Sequence, residues 1–378
     1  MRIPVCFSAI IDSDASCGVE MGGVPLPINS ANKQRPSTFP WPVRRSVQRN
    51  SRSVQLPCNK QVMTAAAMLR SFILFAMAWL MLLGGCARMP STGVTSLKPA
   101  TLSELQGYLL NHIADVDLFR LRGPFDVATH KDHELRLSTT ERIDADLYLS
   151  APAEKAPLVI LLHGDDSAKE DHAYQAMHLA TWGMHSLAVQ LPKDGPWVDN
   201  GRMLARIVAF IHRQPEIIDS RIDVNKIILV GHSFGGAAVV IALAEGAPAA
   251  GGILLDPAGI GKDFPKFLRK IDKPVMLLGA DERYSPVRDR STFYEYIRSG
   301  IAEVSIRDAS HEDAQFPLEP APQEPGTDPA ATEELQITFV SALTSAAFSL
   351  AHTGNVDYAW TSFSAAIKDG KFFDVLKK

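Results

Sequence analysis

One short segment, residues 226–236 with the sequence KIILVGHSFGG, constrains the fold of this chain more than any other. Its apolar run predicts a strand, and a helical pattern of apolar residues follows Gly235. Between them lies a G-x-S-x-G sequence, in which flanking glycines allow the sharp turn that exposes a serine hydroxyl above a sheet. The start of the helix favours negative charge beside that hydroxyl. The pattern therefore predicts that Ser233 is a nucleophile.

Strands and helices alternate through most of the chain after residue 150. Continuous apolar runs are separated by helical patterns, which predicts a mostly parallel central sheet with helices on both faces. The predicted strands are Leu158–Leu162, His185–Val189, Ile227–Val230, Gly252–Leu255, Val275–Leu278 and Ala302–Ile306. Residues 124–150 alternate with period two and predict a small antiparallel front, and residues 332–351 predict a long helix. We expect one α/β domain over residues 102–378.

The first 62 residues do not have the pattern of a folded domain. They contain seven prolines and a basic cluster over residues 44–52, without helical or strand periodicity. We expect this segment to be disordered, or to result from a start site placed too far upstream, with translation beginning at Met63 or Met68.

Residues 63–86 have the composition of an export signal. Arg70 precedes an apolar run over residues 72–83, which is too short for a membrane-spanning helix, and small residues follow it. The ending Leu83-Gly-Gly-Cys86 resembles the lipobox of bacterial lipoproteins, in which the cysteine is lipidated. An ordinary signal or an uncleaved anchor helix is the alternative. We expect an exported protein, held at the membrane of the cell envelope by a lipid on Cys86 and joined to its domain by residues 87–101.

Cysteine usage and charge exclude several kinds of protein. The other three cysteines lie in residues 1–62, so the predicted domain has no disulfide framework and no thiolate metal site. After residue 86 the chain holds 29 basic and 39 acidic residues, a formal net charge near −10. No basic patch interleaved with aromatic residues occurs, so nucleic-acid binding is not expected.

Candidates for the remaining catalytic groups lie where predicted strands end, the edge at which open α/β sheets bind ligands. His163-Gly164-Asp165 follows the first parallel strand. The backbone N–H groups of Phe234 and Asp165 could form an oxyanion hole. His311 follows the last predicted strand, where chain order in this kind of fold places the general base.

Chain order alone does not identify the acidic residue that would orient His311. Asp256 follows one predicted strand, whereas Asp281 and Glu282 follow the next. All three precede the histidine, so their order does not distinguish them.

The strand, the His-Gly turn, GHSFGG and the late histidine together resemble the α/β-hydrolase superfamily over residues 124–315. GHSFGGAAVV, followed by GILLD and then KPVMLLGADERYSP, is similar to its platelet-activating-factor acetylhydrolase and chlorophyllase branch. That resemblance implies Asp256 as the acid, with Asp281 or Glu282 as the alternative. The acidic loop at Asp165 departs from the acetylhydrolases, so their phospholipid substrate is not carried over.

Together these residues predict a serine hydrolase that cleaves carboxylic esters through an acyl-enzyme. The expected partner is a small or lipid-like ester, and neither a metal nor an organic cofactor is implied. A thioesterase or peptidase with the same triad is the alternative enzyme. A non-catalytic surface lipoprotein that keeps the fold as a scaffold is the alternative from another class.

Overall fold

The central feature of the structure, a computed structural model, is a sheet of nine strands among the residues that the structure describes. The structure describes residues 101–112, 115–283, 285, 290–298, 300–319 and 328–378. The expectations for residues 1–100, including the export signal and Cys86, lie outside these residues. The strands in the centre of the sheet are rich in the branched and aliphatic side chains that fit a buried pleated surface, whereas the strand Val127–Arg136 at one edge is mostly polar and exposed.

The strand and helix bounds follow the alternation that the sequence predicts. The strands are β1 (Val127–Arg136), β2 (Arg142–Ser150), β3 (Ala156–Leu162), β4 (His185–Val189), β5 (Ile222–His232), β6 (Gly251–Leu255), β7 (Val275–Gly279), β8 (Ile301–Ile306) and β9 (Phe372–Lys377). The helices are α1 (Leu102–Asn111), α2 (Ala173–Thr181), α3 (Trp197–Arg213), α4 (Phe234–Ala244), α5 (Phe264–Leu268), α6 (Arg290–Tyr296), α7 (Pro329–Thr353), α8 (Asp357–Ser362) and α9 (Ser364–Lys368).

The strands lie in the sheet in the order β1-β2-β4-β3-β5-β6-β7-β8-β9. The six strands from β3 to β8 pair in parallel, and both edges of the sheet are antiparallel. The expected antiparallel front is the β1–β2 hairpin, which joins the sheet through β4. At the other edge β9 pairs antiparallel with β8. This last strand was not predicted, because a short segment at the end of the chain shows little periodicity of its own.

Two apolar layers cover the two faces of the sheet. Side chains alternate along β3, so that Val159 and Leu161 pack into one layer and Leu158 and Ile160 into the other. The first layer contains residues of α1, α2, α7, α8 and α9, whereas the second contains residues of α3, α4, α5 and α6. The predicted mostly parallel sheet with helices on both faces is confirmed.

The α7 helix passes by length and composition as a possible membrane span, but its surroundings explain its apolar sequence. About 78% of its most apolar window is buried inside the protein. Its residues pack on the sheet together with those of α8. Within the described residues α7 is therefore a core helix.

Candidate active site

Ser233 lies in the sharp turn between β5 and α4, at φ 52° and ψ −125°. Few residues other than glycine adopt such a backbone conformation, and it is held here by neighbouring contacts. The N–H of Ser233 donates to the carbonyl of Leu255 at 3.1 Å, and its own carbonyl accepts from the N–H groups of Gly236 and Ala258, both at 3.0 Å. The strain of this turn is thus balanced by three backbone hydrogen bonds.

Glycines make this turn possible because neighbouring backbone approaches them closely. A Cβ added to Gly231 would lie 2.3 Å from the carbonyl oxygen of Gly235, and one added to Gly235 would lie 2.3 Å from that of His163. Both distances are far below a van der Waals contact, so any larger residue would displace the backbone. The G-x-S-x-G spacing is therefore a steric requirement of the turn.

The carboxylate that meets His311 belongs to Asp256, which directly follows β6. Nδ1 of His311 lies 2.6 Å from Oδ2 of Asp256, and both side chains are buried. An ionised carboxylate only accepts, so Nδ1 carries the proton and Nε2 is left as the basic nitrogen. Within the described part of the chain no protein group hydrogen-bonds to Nε2 or to the hydroxyl of Ser233.

Asp256 accepts further hydrogen bonds that hold its carboxylate in place. Its Oδ1 accepts from the N–H of Ala280 at 2.9 Å, and its Oδ2 accepts from the hydroxyl of Ser285 at 2.6 Å. Arg290, almost fully buried, brings Nη1 to 3.2 Å from Oδ1. Burial raises the pKa of Asp256, but the bond from His311, the charge of Arg290 and the bond from Ser285 outweigh it and lower that pKa.

The two rival acids of the sequence prediction lie apart from His311. Asp281 accepts from Arg283, whose hydrogen bonds lower the pKa of Asp281 to about 2 even though burial opposes that shift. The side chain of Glu282 is 60% exposed, and its Oε1 lies 3.6 Å from Nη2 of Arg290. Within the described residues neither carboxylate lies within hydrogen-bonding distance of the imidazole, and each contacts an arginine instead.

The backbone loop that carries His311 is fixed from three directions. Nε2 of His232 donates to the carbonyl of His311 at 3.1 Å, and their rings pack with centroids 4.4 Å apart. The N–H of Asp281 donates to the carbonyl of Ala309, and Asp313 accepts from Ser310 within the loop itself. These contacts hold the imidazole at the edge where β5 and β6 end.

His232, the residue between Gly231 and Ser233, has a packing role that its position in the motif did not indicate. Its Nδ1 accepts from Nε2 of Gln315 at 2.9 Å, which leaves Nε2 as the donor to the His311 loop. Burial, and then the nearby histidines, lowers the pKa of His232 well below its ordinary value. A neutral His232 beside His311 adds no positive charge where an imidazolium would form.

The loop after β3 approaches Ser233 closely. A Cβ on Gly164 would lie 2.9 Å from Cβ of Ser233, so the chain passes directly over the serine. The carbonyl of Gly164 accepts from Nδ1 of His163 at 2.8 Å, while Nε2 of that ring accepts from the N–H of Leu191 at 3.2 Å. Because the carbonyl of Gly164 and the N–H of Asp165 share one peptide, the ring also orients that N–H.

The second candidate donor is the N–H of Phe234, which stands in the first position of α4. Such an N–H has no carbonyl partner within its own helix and is free for an anion. The carboxylates of Asp165 and Asp166 are exposed to water, which weakens their repulsion of a negative oxygen beside these donors. The acidic loop is therefore compatible with a nearby anion.

An aromatic pair borders the same turn. The rings of Trp197 and Phe234 stack with centroids 5.8 Å apart, and Trp197 is 8% exposed while Phe234 is half-buried. Trp197 therefore packs in the apolar core and also stacks on the residue that follows Ser233.

In the part of the chain that the structure describes, two groups of side chains have ligand atoms close enough together for a cation, but most of these atoms already have partners. In the group of His232, His311 and Glu312, three of the four ring nitrogens have the partners described above. In the group of Asp132, Asp146 and Glu170, the ammonium of Lys169 lies 2.9 Å from Asp132 and 3.0 Å from Asp146 and also contacts Glu170. A lysine thus already supplies the positive charge of the second group.

Comparison with known proteins agrees with this geometry. No curated protein matches the chain. The sequence profile described as the Alpha/beta hydrolase family matches residues 159–361, more than half of the chain, and this span includes Ser233, Asp256 and His311. With a parallel sheet, a sharp turn after its fifth strand and this match, the chain belongs to the alpha/beta hydrolase family, a membership that supports a hydrolase activity.

Proposed function

We propose that this protein is a serine hydrolase that cleaves carboxylic esters, with Ser233, His311 and Asp256 as its catalytic triad. The observation that carries the proposal is the 2.6 Å contact between Nδ1 of His311 and Oδ2 of Asp256, beside a strained serine turn. A buried carboxylate fixes one tautomer of the imidazole and leaves the other nitrogen as a base. Family membership supports a hydrolase activity. The substrate class, a carboxylic ester, is inferred from the three proposed catalytic residues.

The proposed reaction begins when the hydroxyl of Ser233 attacks the ester carbonyl and Nε2 of His311 takes its proton. Asp256 stabilises the resulting imidazolium through Nδ1–H. The N–H groups of Phe234 and Asp165 donate to the negative oxygen of the tetrahedral intermediate. His311 then gives its proton to the leaving alcohol, and an acyl group remains on Ser233. Water, deprotonated by His311, releases the acid in the second half of the cycle.

The proposal is tested by ester turnover in the domain that begins at residue 91. Ser233→Ala removes the attacking oxygen and is expected to lower kcat by about 10⁴-fold or more. Ser103→Ala is the matched control, because Ser103 is exposed in α1, far along the chain from the turn. Equal turnover by the two variants would contradict the assignment of the nucleophile.

A substrate panel separates the alternatives. Amide and thioester analogues with the same acyl group test for a peptidase or thioesterase, since the same triad cleaves all three. We expect esters to give the highest kcat/KM. A folded protein without turnover of any acyl substrate would favour a non-catalytic scaffold instead.

We further propose that the protein is exported and lipid-anchored at Cys86, on the basis of the lipobox-like sequence alone. Cys86→Ser should move the protein out of the membrane fraction or block its processing. Membrane association that survives this substitution would point to an uncleaved anchor helix.

A further inference from the structure

The Arg290 guanidinium is buried against the candidate acid although it gains few hydrogen bonds there. Its side chain is 1% exposed, and Nη1 lies 3.2 Å from Oδ1 of Asp256. Neither Nε nor Nη1 has a hydrogen-bond partner within the described residues. Burying an arginine with unpaired donors is costly, and an apolar side chain of similar volume would usually serve packing better. Packing alone therefore does not account for an arginine here.

The backbone makes room for this arginine at one position of the sheet. A Cβ on Gly279, the last residue of β7, would lie 1.5 Å from Nη1 of Arg290. The guanidinium therefore crosses the end of β7 in a space that only glycine leaves open, and it reaches the acid at the end of β6. Two residues, Gly279 and Arg290, are required to place one charge beside Asp256.

We propose that Arg290 is a positioning residue that keeps the Asp256 carboxylate ionised and oriented toward His311. The inference rests on the proposed function, because it assigns a role within the same triad. The guanidinium is too deeply buried to contact a substrate, so it acts through Asp256 alone. Together with the N–H of Ala280 it occupies Oδ1, which leaves Oδ2 for His311 and Ser285.

Other charged groups near the Asp256–His311 pair define what a pH experiment reports. Among the described residues, Glu282 is the carboxylate besides Asp256 that lies beside Arg290. The segments around the pair (the ends of β5, β7 and β8, the turn before α2, and the His311 loop) carry these titratable side chains: His232, Asp281, Glu282, Asp308, His172, Glu312 and Asp313. All of them are unchanged in the Arg290 variants.

The test compares Arg290→Met with Arg290→Lys in the full-length protein. Arg290→Met removes the charge, so the pKa of Asp256 rises and activity is lost at a higher pH as the solution is acidified. We expect kcat to fall by roughly 10–100-fold while KM changes less than about twofold. In the profile of kcat against pH, the acidic limb, where activity is lost on acidification, should move up by roughly one pH unit. Arg290→Lys keeps a positive charge and should restore most of kcat and the original limb.

A matched control removes an arginine from a neighbouring carboxylate. Arg283→Met removes the guanidinium beside Asp281, just as Arg290→Met removes the one beside Asp256. It should leave the acidic limb of the pH profile in place. Thermal unfolding of each variant separates lost activity from lost folded protein. If Arg290→Met keeps the parent's kcat and pH profile, or if Arg290→Lys is no better than Arg290→Met in folded protein, the inference is wrong.

Glu282→Gln keeps the test decisive even where Arg290→Met does not fold. Glu282 is mostly exposed, so its substitution does not threaten the core, and it removes a negative charge that competes for Arg290. The acidic limb should then shift downward by a few tenths of a pH unit, the direction opposite to Arg290→Met. An unchanged or upward limb contradicts the inference. A parent protein inactive on all esters would instead remove the proposed function itself.

Discussion

Asp256→Asn tests the proposed triad in depth, because the surroundings of Asp256 decide how an asparagine would be oriented. On the Oδ1 side lie only donors, the N–H of Ala280 and Nη1 of Arg290. On the Oδ2 side lie the hydroxyl of Ser285 and Nδ1 of His311, and each of these can also accept. The asparagine oxygen must therefore face Ala280, and its NH₂ must face His311.

This orientation would reverse the tautomer of His311. An NH₂ that donates to Nδ1 leaves the imidazole proton on Nε2, the nitrogen that has to accept the proton of Ser233. The base is then absent, although the side chains keep nearly the same volume and the site keeps its shape. We expect kcat to fall by about 10⁴-fold, as for other triads with the wrong tautomer, which corresponds to about 5 kcal/mol.

The assay is ester turnover at saturating substrate, with thermal unfolding to show that the variant is folded. Asp281→Asn and Glu282→Gln serve as controls, since their carboxylates contact arginines and not His311. Each control should cost less than about tenfold in kcat. The reasoning is refuted if Asp256→Asn keeps kcat within tenfold of the parent, or if Asp281→Asn has the larger effect.

Two further predictions concern the turn at Ser233 and the stability of the domain. Gly235→Ala would place a Cβ 2.3 Å from the carbonyl of His163, so we expect a loss of roughly 3 kcal/mol in unfolding free energy and about 100-fold in kcat, whereas Gly107→Ala, with open space around it, should be neutral or stabilising by denaturant titration. Buried neutral histidines should make the domain less stable as the pH falls from 7 toward 4, because the unfolded chain takes up protons at the ordinary histidine pKa and the folded chain does not. Burial lowers the pKa of His172, His178 and His185 to about 4 and that of His352 to about 3. A melting temperature that rises on acidification from pH 7 toward 4 would contradict this prediction.

Much of the fold could be predicted because its local signals agree with one another. The strands β3 to β8 are short apolar runs between helical patterns, and the turn at Ser233 has its own glycine requirement. Strand β5 begins five residues before its apolar run, since Ile222 already pairs with Ala156. The segment 223–226, between Ile222 and the apolar run, is mostly polar and gives no strand signal. The pairing of β9 with β8 is a long-range contact that periodicity does not report.

The choice between Asp256 and Asp281 as the proposed acid could not be made from chain order alone. Asp256 and Asp281 follow neighbouring strands that end at the same edge, so spacing alone allows either one to reach His311. The structure separates them through arginines: Arg283 is two residues from Asp281 and binds it, whereas Arg290 comes from α6 and meets Asp256 across β7. No pattern in the sequence connects Arg290 to Asp256, because their proximity depends on the packing of three elements.

The most direct test of the central claim is to locate the residue that a fluorophosphonate modifies. The reagent phosphonylates a serine only where a base activates its hydroxyl, and it needs no knowledge of the natural substrate. Mass spectrometry of the digested protein should place one phosphonyl group on Ser233, and His311→Ala should slow the labelling by several orders of magnitude. A label on another residue, or a folded protein that takes up none, would contradict the proposed nucleophile.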